Sequence, residues 1–350
     1  MAKEKATWDD KVRWDVVEKL TKEYGLYAHN IPFGAPNITH PTNTVFATDD
    51  VDVQPKWNIP DKIIVSTTIV GGFYNKSGNP NHPVTMDEIY KSAREVCKAG
   101  APILHLHVRD DEGYNTLDPV RLKDMFKRIK DEFPDVAIDT CLVPMNESQW
   151  EKFIEMLESG LIESSPVNTC AVYCGDYLLV KYPHVILAKA KKLREYGVRT
   201  RVAVYCDADI DNADRWLFKT GLVQTGATGL PSYWGVLPAL PGGTPMNSPV
   251  AMVEGFMNLR NRILEIDRDA VIQVCASGRA SIYLATQAIL LGHHLRVGME
   301  DTVWRWPHKD EKITSNAECF LGYKQLCELL GRQIVTPKEY RQMMGIPRAK

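Results

Sequence analysis

The sequence predicts an α/β protein of the (β/α)8 type, a TIM barrel preceded by an N-terminal helix-plus-arm extension. Three observations carry that reading. Apolar, β-branched segments alternate with amphipathic ones eight times from residue 62 onward. No G-x-G-x-x-G turn follows the first of these strands, which weighs against a doubly wound open sheet, the competing architecture. At 350 residues and 44% hydrophobic, the chain is also long enough to bury one large core. Residues 1–60 are assigned to the extension and 61–350 to the barrel with its C-terminal helices.

Within the extension, Trp8, Val12, Val16 and Leu20 recur at helical spacing between charges, so residues 8–24 read as an amphipathic helix. Residues 29–60 are rich in Pro, Asn and Thr without periodicity, yet contain Phe33, Phe46 and Trp57, which suits an ordered arm better than a disordered tail. In the barrel, strands are expected at residues 62–69, 101–108, 136–142, 161–170, 199–205, 222–237, 270–275 and 294–297. The first helix opens at Thr85, with Glu88 three residues on, the pattern of a capping box. Further helices are expected at 118–130, 148–158, 183–196, 210–219, 249–264, 279–291 and 314–330.

Lys and Arg number 42 against 44 Asp and Glu, a near-balance that argues against a broad nucleic-acid or anionic-membrane surface. The N-terminal MAKEKATWDDKVRW carries charges where a signal peptide needs an apolar run, and no stretch reaches the length of a membrane span, so a cytoplasmic location is expected. Most of the eight cysteines lie in apolar periodic segments without metal-finger spacing and read as reduced thiols.

The chemistry centres on His105-Leu106-His107. On a strand, residues two apart share a face, so the two imidazoles form half of a metal site. Taken alone the pattern also fits hydrogen-bonded core histidines. A catalytic zinc commonly takes three protein ligands. Barrel active sites gather at the C-terminal strand ends, where the eighth strand runs out through Arg296-Val297-Gly298-Met299-Glu300-Asp301. Closure sets that strand two spacings, about 10 Å, from the His-x-His strand. Glu300 is then the natural third ligand, with a helix-capping or surface carboxylate as the alternative.

GAPILHLHVRDDEG, Pro241-Gly242-Gly243 after Gly235-Val236, and LRVGMED followed by SNAE resemble the β-keto acid cleavage enzyme family from about Lys62 to Ile346. The resemblance implies that His105, His107 and Glu300 bind Zn2+ and that Arg296 and Asp301 assist proton transfer at C2 of a 3-oxo acid. It further implies that Asn168 is a polar residue of the site and that acetyl-CoA is the cosubstrate, the products being acetoacetate and a new acyl-CoA. The Gly242-Gly243 loop and Gly278-Arg279 offer backbone N–H groups and a cation to phosphate, although each also reads as an ordinary turn.

Three departures stand out. Phe73 occupies the position after two glycines where the member acting on an amino-keto acid has a carboxylate, so Phe73 is expected to line an apolar substrate pocket. Trp234, Trp304 and Trp306 are candidates for that wall or for packing. Ala203 aligns with a strand-five glutamate of the family, leaving Asp207 or Asp209 to be considered as its replacement. Cys141-Leu142-Val143-Pro144 stands where the family has a small Ser/Thr-Gly-Gly segment. A zinc lyase or aldolase working without CoA, and a non-catalytic barrel stabilised by zinc, therefore remain as alternatives. The expected partners are small molecules and a homo-oligomer, dimer or tetramer, assembled through residues 1–60.

Overall fold

A computed structural model describes residues 11–24, 56–144, 147–238 and 248–347. Eight parallel strands close into a barrel. They are β1 (Val65–Thr68), β2 (Ile103–His105), β3 (Ala137–Asp139), β4 (Ser164–Asn168), β5 (Arg199–Val204), β6 (Tyr233–Val236), β7 (Val271–Cys275) and β8 (His294–Val297). Each falls inside a segment expected from the sequence. The seam that matters for function joins β8 to β1 through Leu295 with Val65 and Val297 with Thr67, and β1 to β2 through Ser66 with Ile103 and Thr68 with His105.

The outer helices are α2 (Met86–Lys98), α3 (Pro119–Glu132), α4 (Glu147–Glu158), α5 (Pro183–Glu195), α6 (Asp207–Ala213), α7 (Pro249–Ile266), α8 (Ser281–Leu290) and α9 (Asn316–Leu329). In α2, Thr85 and Glu88 form the reciprocal capping box that their spacing predicts. One helix departs from its expected form: residues 207–218 begin as α6 and finish as a π-helical turn, Asp214–Phe218. Among the described residues no helix is long and apolar enough to cross a membrane.

Contacts divide the chain into two units, residues 1–58 and 59–350. In the first, the amphipathic segment forms α1 (Trp14–Tyr24), while the arm up to residue 55 lies outside the described residues. In the second, α10 (Pro337–Met344) contributes to a cluster at the N-terminal end of the barrel, where Tyr340, Met344 and Ile346 pack with Ile64, Ile103 and Tyr233. A buried triad secures it, in which Glu163 is shared by Arg341 of α10 and Lys130 of α3. Trp234 is fully buried and stacks on Phe218, ring centroids 5.1 Å apart, which makes it a packing residue between barrel and helices.

His294 on β8 is buried, and its Nδ1 accepts the Ile64 N–H at 3.0 Å. Burial pushes its pKa down to about 3. Between that value and the ordinary 6.5 the unfolded chain holds a proton that the folded chain refuses, so stability is full above pH 6.5 and falls as pH drops toward 3. At pH 5 this one group costs about 2 kcal/mol. Urea unfolding at pH 7.5 and 5 is expected to show that loss, and His294→Gln is expected to reduce the difference; an unchanged difference would contradict it.

Candidate metal centre and active site

The floor of the site is built by strand ends. His105 closes β2 and His107 follows it, and the alternation of the chain aims both imidazoles at the barrel mouth. Their Nε2 atoms lie 3.2 Å apart. Glu300 arrives from β8 after a bend at Gly298, whose φ of +134° puts it among the conformations open to glycine; a side chain there would collide with the Thr68 carbonyl oxygen. Gly71, after β1, leaves room for the Glu300 side chain, which any β-carbon at that position would overlap. Glu300 Oε2 then stands 3.4 Å from His105 Nε2, and Oε1 stands 3.6 Å from His107 Nε2.

Each imidazole is held from behind. His105 Nδ1 bonds Asp139 at the end of β3, and His107 Nδ1 lies 3.0 Å from Asn115 Oδ1. Both partners are acceptors, so Nδ1 donates its proton and the Nε2 lone pair faces the centre. Asp139 is fastened in turn by Ser164 Oγ at 2.6 Å and by Arg201 at 2.8 Å. Burial opposes the Asp139 charge, but Arg201 and His105 outweigh it and hold the carboxyl below the usual range. Burial also opposes a proton on His105, yet Glu300 and Asp139 raise its pKa overall; His107 is pushed down to about 4 by burial.

One buried atom tests whether a metal fits. Glu300 Oε2 has no hydrogen-bond partner, although its charge is retained, with Arg296 and the two histidines outweighing the cost of burial. That carboxylate oxygen and the two Nε2 atoms, all ligand atoms within 4.8 Å of one another, form a donor set that could hold a metal ion. Two imidazoles and a carboxylate are a donor set of catalytic zinc sites.

Arg296 governs the other half of the site. Its Nε donates to Asp301 Oδ2, and Nη2 donates to both Asp301 Oδ1 and Glu300 Oε1, each at 2.8 Å. Thr68 Oγ1 adds a bond to Asp301 Oδ2 at 3.0 Å. Asn316, from the SNAE segment, ties the loops after β1 and β8 together by accepting from Met299 N at 2.8 Å and donating to Ile69 O at 2.9 Å.

These groups open into a cavity of about 350 Å³ lined also by Phe73, Asn168, Cys141, Val143, Ala203 and Tyr205. Phe73 stands half-exposed on the wall, on a loop whose carbonyls at Gly71 and Tyr74 are gripped by Arg109. Asn168 Nδ2 donates to Tyr205 Oη at 2.8 Å. Among the other sequence-stated candidates, Asp207 and Asp209 do not line the cavity: Asp209 caps Tyr205 N and Cys206 N, and Asp207 accepts from Asn258. The strand-five position thus gains no substitute carboxylate from them. Trp304 and Trp306 line a separate cavity near α9, with Arg279 stacked over Trp304 at 3.4 Å and paired with Asp310, so they form no cage around this site. Gly242 and Gly243 lie outside the described residues.

Asn115, Lys181 and Arg201 line the cavity and Asp139 backs His105, and the sequence reading named none of the four. A signal existed for two of them: Asp139 and Arg201 are charged residues within otherwise strand-forming runs, which is costly unless each finds a partner inside.

Known proteins resemble this chain across the whole barrel. Residues 62–346 match the beta-keto acid cleavage enzyme family. The 3-keto-5-aminohexanoate cleavage enzyme of Acetoanaerobium sticklandii is 31% identical over 289 residues, covering 82% of this chain and 99% of that protein. The 3-dehydrocarnitine:acetyl-CoA trimethylamine transferase of Rhizobium meliloti is 22% identical, covering 81% and 97%. A solved structure of ObcA in binary complex with oxaloacetate shares the fold, with a TM-score of 0.62 at 19% identity, covering 76% of this chain and 68% of that one. On the family match across the whole barrel, this chain belongs to the beta-keto acid cleavage enzyme family.

Proposed function

We propose that this protein is a zinc-dependent β-keto acid cleavage enzyme that condenses a 3-oxo acid with acetyl-CoA and releases acetoacetate and a new acyl-CoA. The observation that carries the reading is the meeting of the His105, His107 and Glu300 donors with the Arg296–Asp301 pair in one cavity. The acetyl-CoA named for the Rhizobium meliloti relative supports the cosubstrate. Bound zinc would supply a Lewis acid for the ketone and carboxylate oxygens of the 3-oxo acid.

The chain's own residues supply the rest. Asp301 lines the cavity and is the base that takes a proton from C2, while Arg296 fixes both of its oxygens and limits their rotation. The C2 carbanion attacks the acetyl carbonyl, and CoA leaves as thiolate. That thiolate adds to the original ketone carbon, the C2–C3 bond breaks, and the electron pair returns to C2, which recovers a proton from Asp301. The R-acyl group departs on CoA, and acetoacetate keeps the original carboxylate. Asn168 and Tyr205, joined across β4 and β5, offer polar contacts to the substrate oxygens, and Phe73 shields the pocket from water.

Purified zinc-loaded protein is expected to form acetoacetate and a new acyl-CoA in equal amounts from a 3-oxo acid and acetyl-CoA. Cleavage without acetyl-CoA would overturn the reading in favour of a lyase. Asp301→Asn is expected to lower kcat by about 100- to 10,000-fold with zinc retained. Metal analysis of His107→Ala should show loss of stoichiometric zinc; retention of a full equivalent would remove His107 from the ligand set.

A further inference from the structure

Behind the side chains that face the cavity lies a buried cation that the proposed reaction does not use. Arg109 follows His107 by two residues, on the hairpin in which Val108–Arg109 pairs antiparallel with Asn115–Thr116, and it stands directly across from Asn115. It is only 4% exposed, yet among the described residues it forms no ion pair. Every acceptor it holds is a backbone carbonyl: Nη1 donates to Gly113 O at 3.1 Å, and Nη2 donates to both Gly71 O and Tyr74 O. Its buried Nε has no partner. A guanidinium buried without a carboxylate is costly, so the contacts of its fork, not a charge pair, must offset that cost.

The fork joins two pieces of the site. On one side, Gly72 and Phe73 lie between the two carbonyls that Nη2 holds, so both ends of the short span carrying the Phe73 wall are fastened to one nitrogen. Gly71, at the start of that span, is the residue whose missing β-carbon admits the Glu300 side chain. On the other side, the Gly113 N–H closes the hairpin turn by donating to Asp110 O at 3.1 Å, and two residues on, Asn115 Oδ1 meets His107 Nδ1 at 3.0 Å. The two pieces also approach each other directly: a β-carbon on Gly72 would stand 4.0 Å from that of Asn115. We infer that Arg109 is a positioning residue that locks the Phe73 wall and the Glu300 clearance to the hairpin that orients His107, so that substrate wall and metal centre keep one spacing. A lysine keeps the charge but presents its donors at a single point, and reaches one piece or the other. This inference rests on the proposed zinc centre for what is positioned, and on the hydrogen bonds of Arg109 for what does the positioning.

Zinc affinity of the full-length protein, measured by competition with a chelator, tests this without any substrate. Arg109→Lys is expected to weaken zinc binding by about tenfold, the lower end of what losing an outer hydrogen-bonding partner costs a metal site, although the charge is kept. Asn115→Ala is expected to weaken it as well. The double variant should lose less than the product of the two single effects, because both act through the seat of His107. Phe73 labelled as 4-fluorophenylalanine reads the wall by fluorine NMR: one narrow line in the zinc-loaded protein, and a broadened or split line with Arg109→Lys. Thermal melting of the zinc-free proteins reads folding separately, and Arg109→Gln takes the place of Arg109→Lys if that variant does not fold. An Arg109 variant that melts lower but keeps full zinc affinity, single effects that multiply in the double variant, or a Phe73 line unchanged by Arg109→Lys would each overturn the inference. Unaltered protein that binds no zinc would remove the proposed metal centre, and this inference with it.

Discussion

Arg296 places one buried guanidinium between two carboxylates, donating to Glu300 and to both oxygens of Asp301. Two anions at adjacent positions of one chain would otherwise repel each other in a largely buried region. With the arginine in place, one carboxylate can face the histidines and the other can face the cavity. The division of the site into the proposed metal-binding half and the proposed proton-transfer half follows from that single side chain. Arg296 can do this because β8 pairs with β1, which brings Thr68 against Asp301 and the Gly71 turn against Glu300.

A second tier of buried partners makes the site rigid. Asp139 orients His105, Arg201 neutralises Asp139, and Gln273 on β7 accepts from Arg201 at 2.9 Å and from Tyr233 at 3.0 Å. Gly235 on β6 leaves the space across which the Arg201 side chain runs. The polar network therefore crosses the barrel interior from β2 to β7, a place that branched apolar side chains usually fill. Each member is satisfied by another, which is the condition under which buried polarity specifies one geometry. Its function here is to present two imidazole nitrogens that have no freedom to turn away.

Much of this was legible in the sequence because it is carried by local period. The strand and helix alternation follows from spacing of apolar residues, the Thr85–Glu88 cap from two residues three apart, and the shared face of His105 and His107 from strand parity. Glu300 was legible through topology, since barrel closure alone sets the eighth strand beside the first. For Asp139 and Arg201 the sequence showed only two charges within strand-forming runs, because their pairing joins β3 to β5 and depends on register across strands that no local pattern records. The tryptophans show the opposite failure. Trp304 and Trp306 follow closely on the site residues in sequence, but the chain after Asp301 turns toward α9 and carries them to another cavity. Ala203, the position at which the resemblance implied a glutamate, does line the cavity and faces the same space as Lys181 and Phe73.

The central claim is that His105, His107 and Glu300 form a zinc centre prepared by the surrounding hydrogen bonds. X-ray absorption at the zinc edge, on protein reconstituted with one equivalent of zinc, addresses it directly. Two imidazole nitrogens at about 2.0–2.1 Å with oxygen completing the shell is the predicted result. A shell containing sulfur from cysteine, or one without histidine scattering, would contradict it.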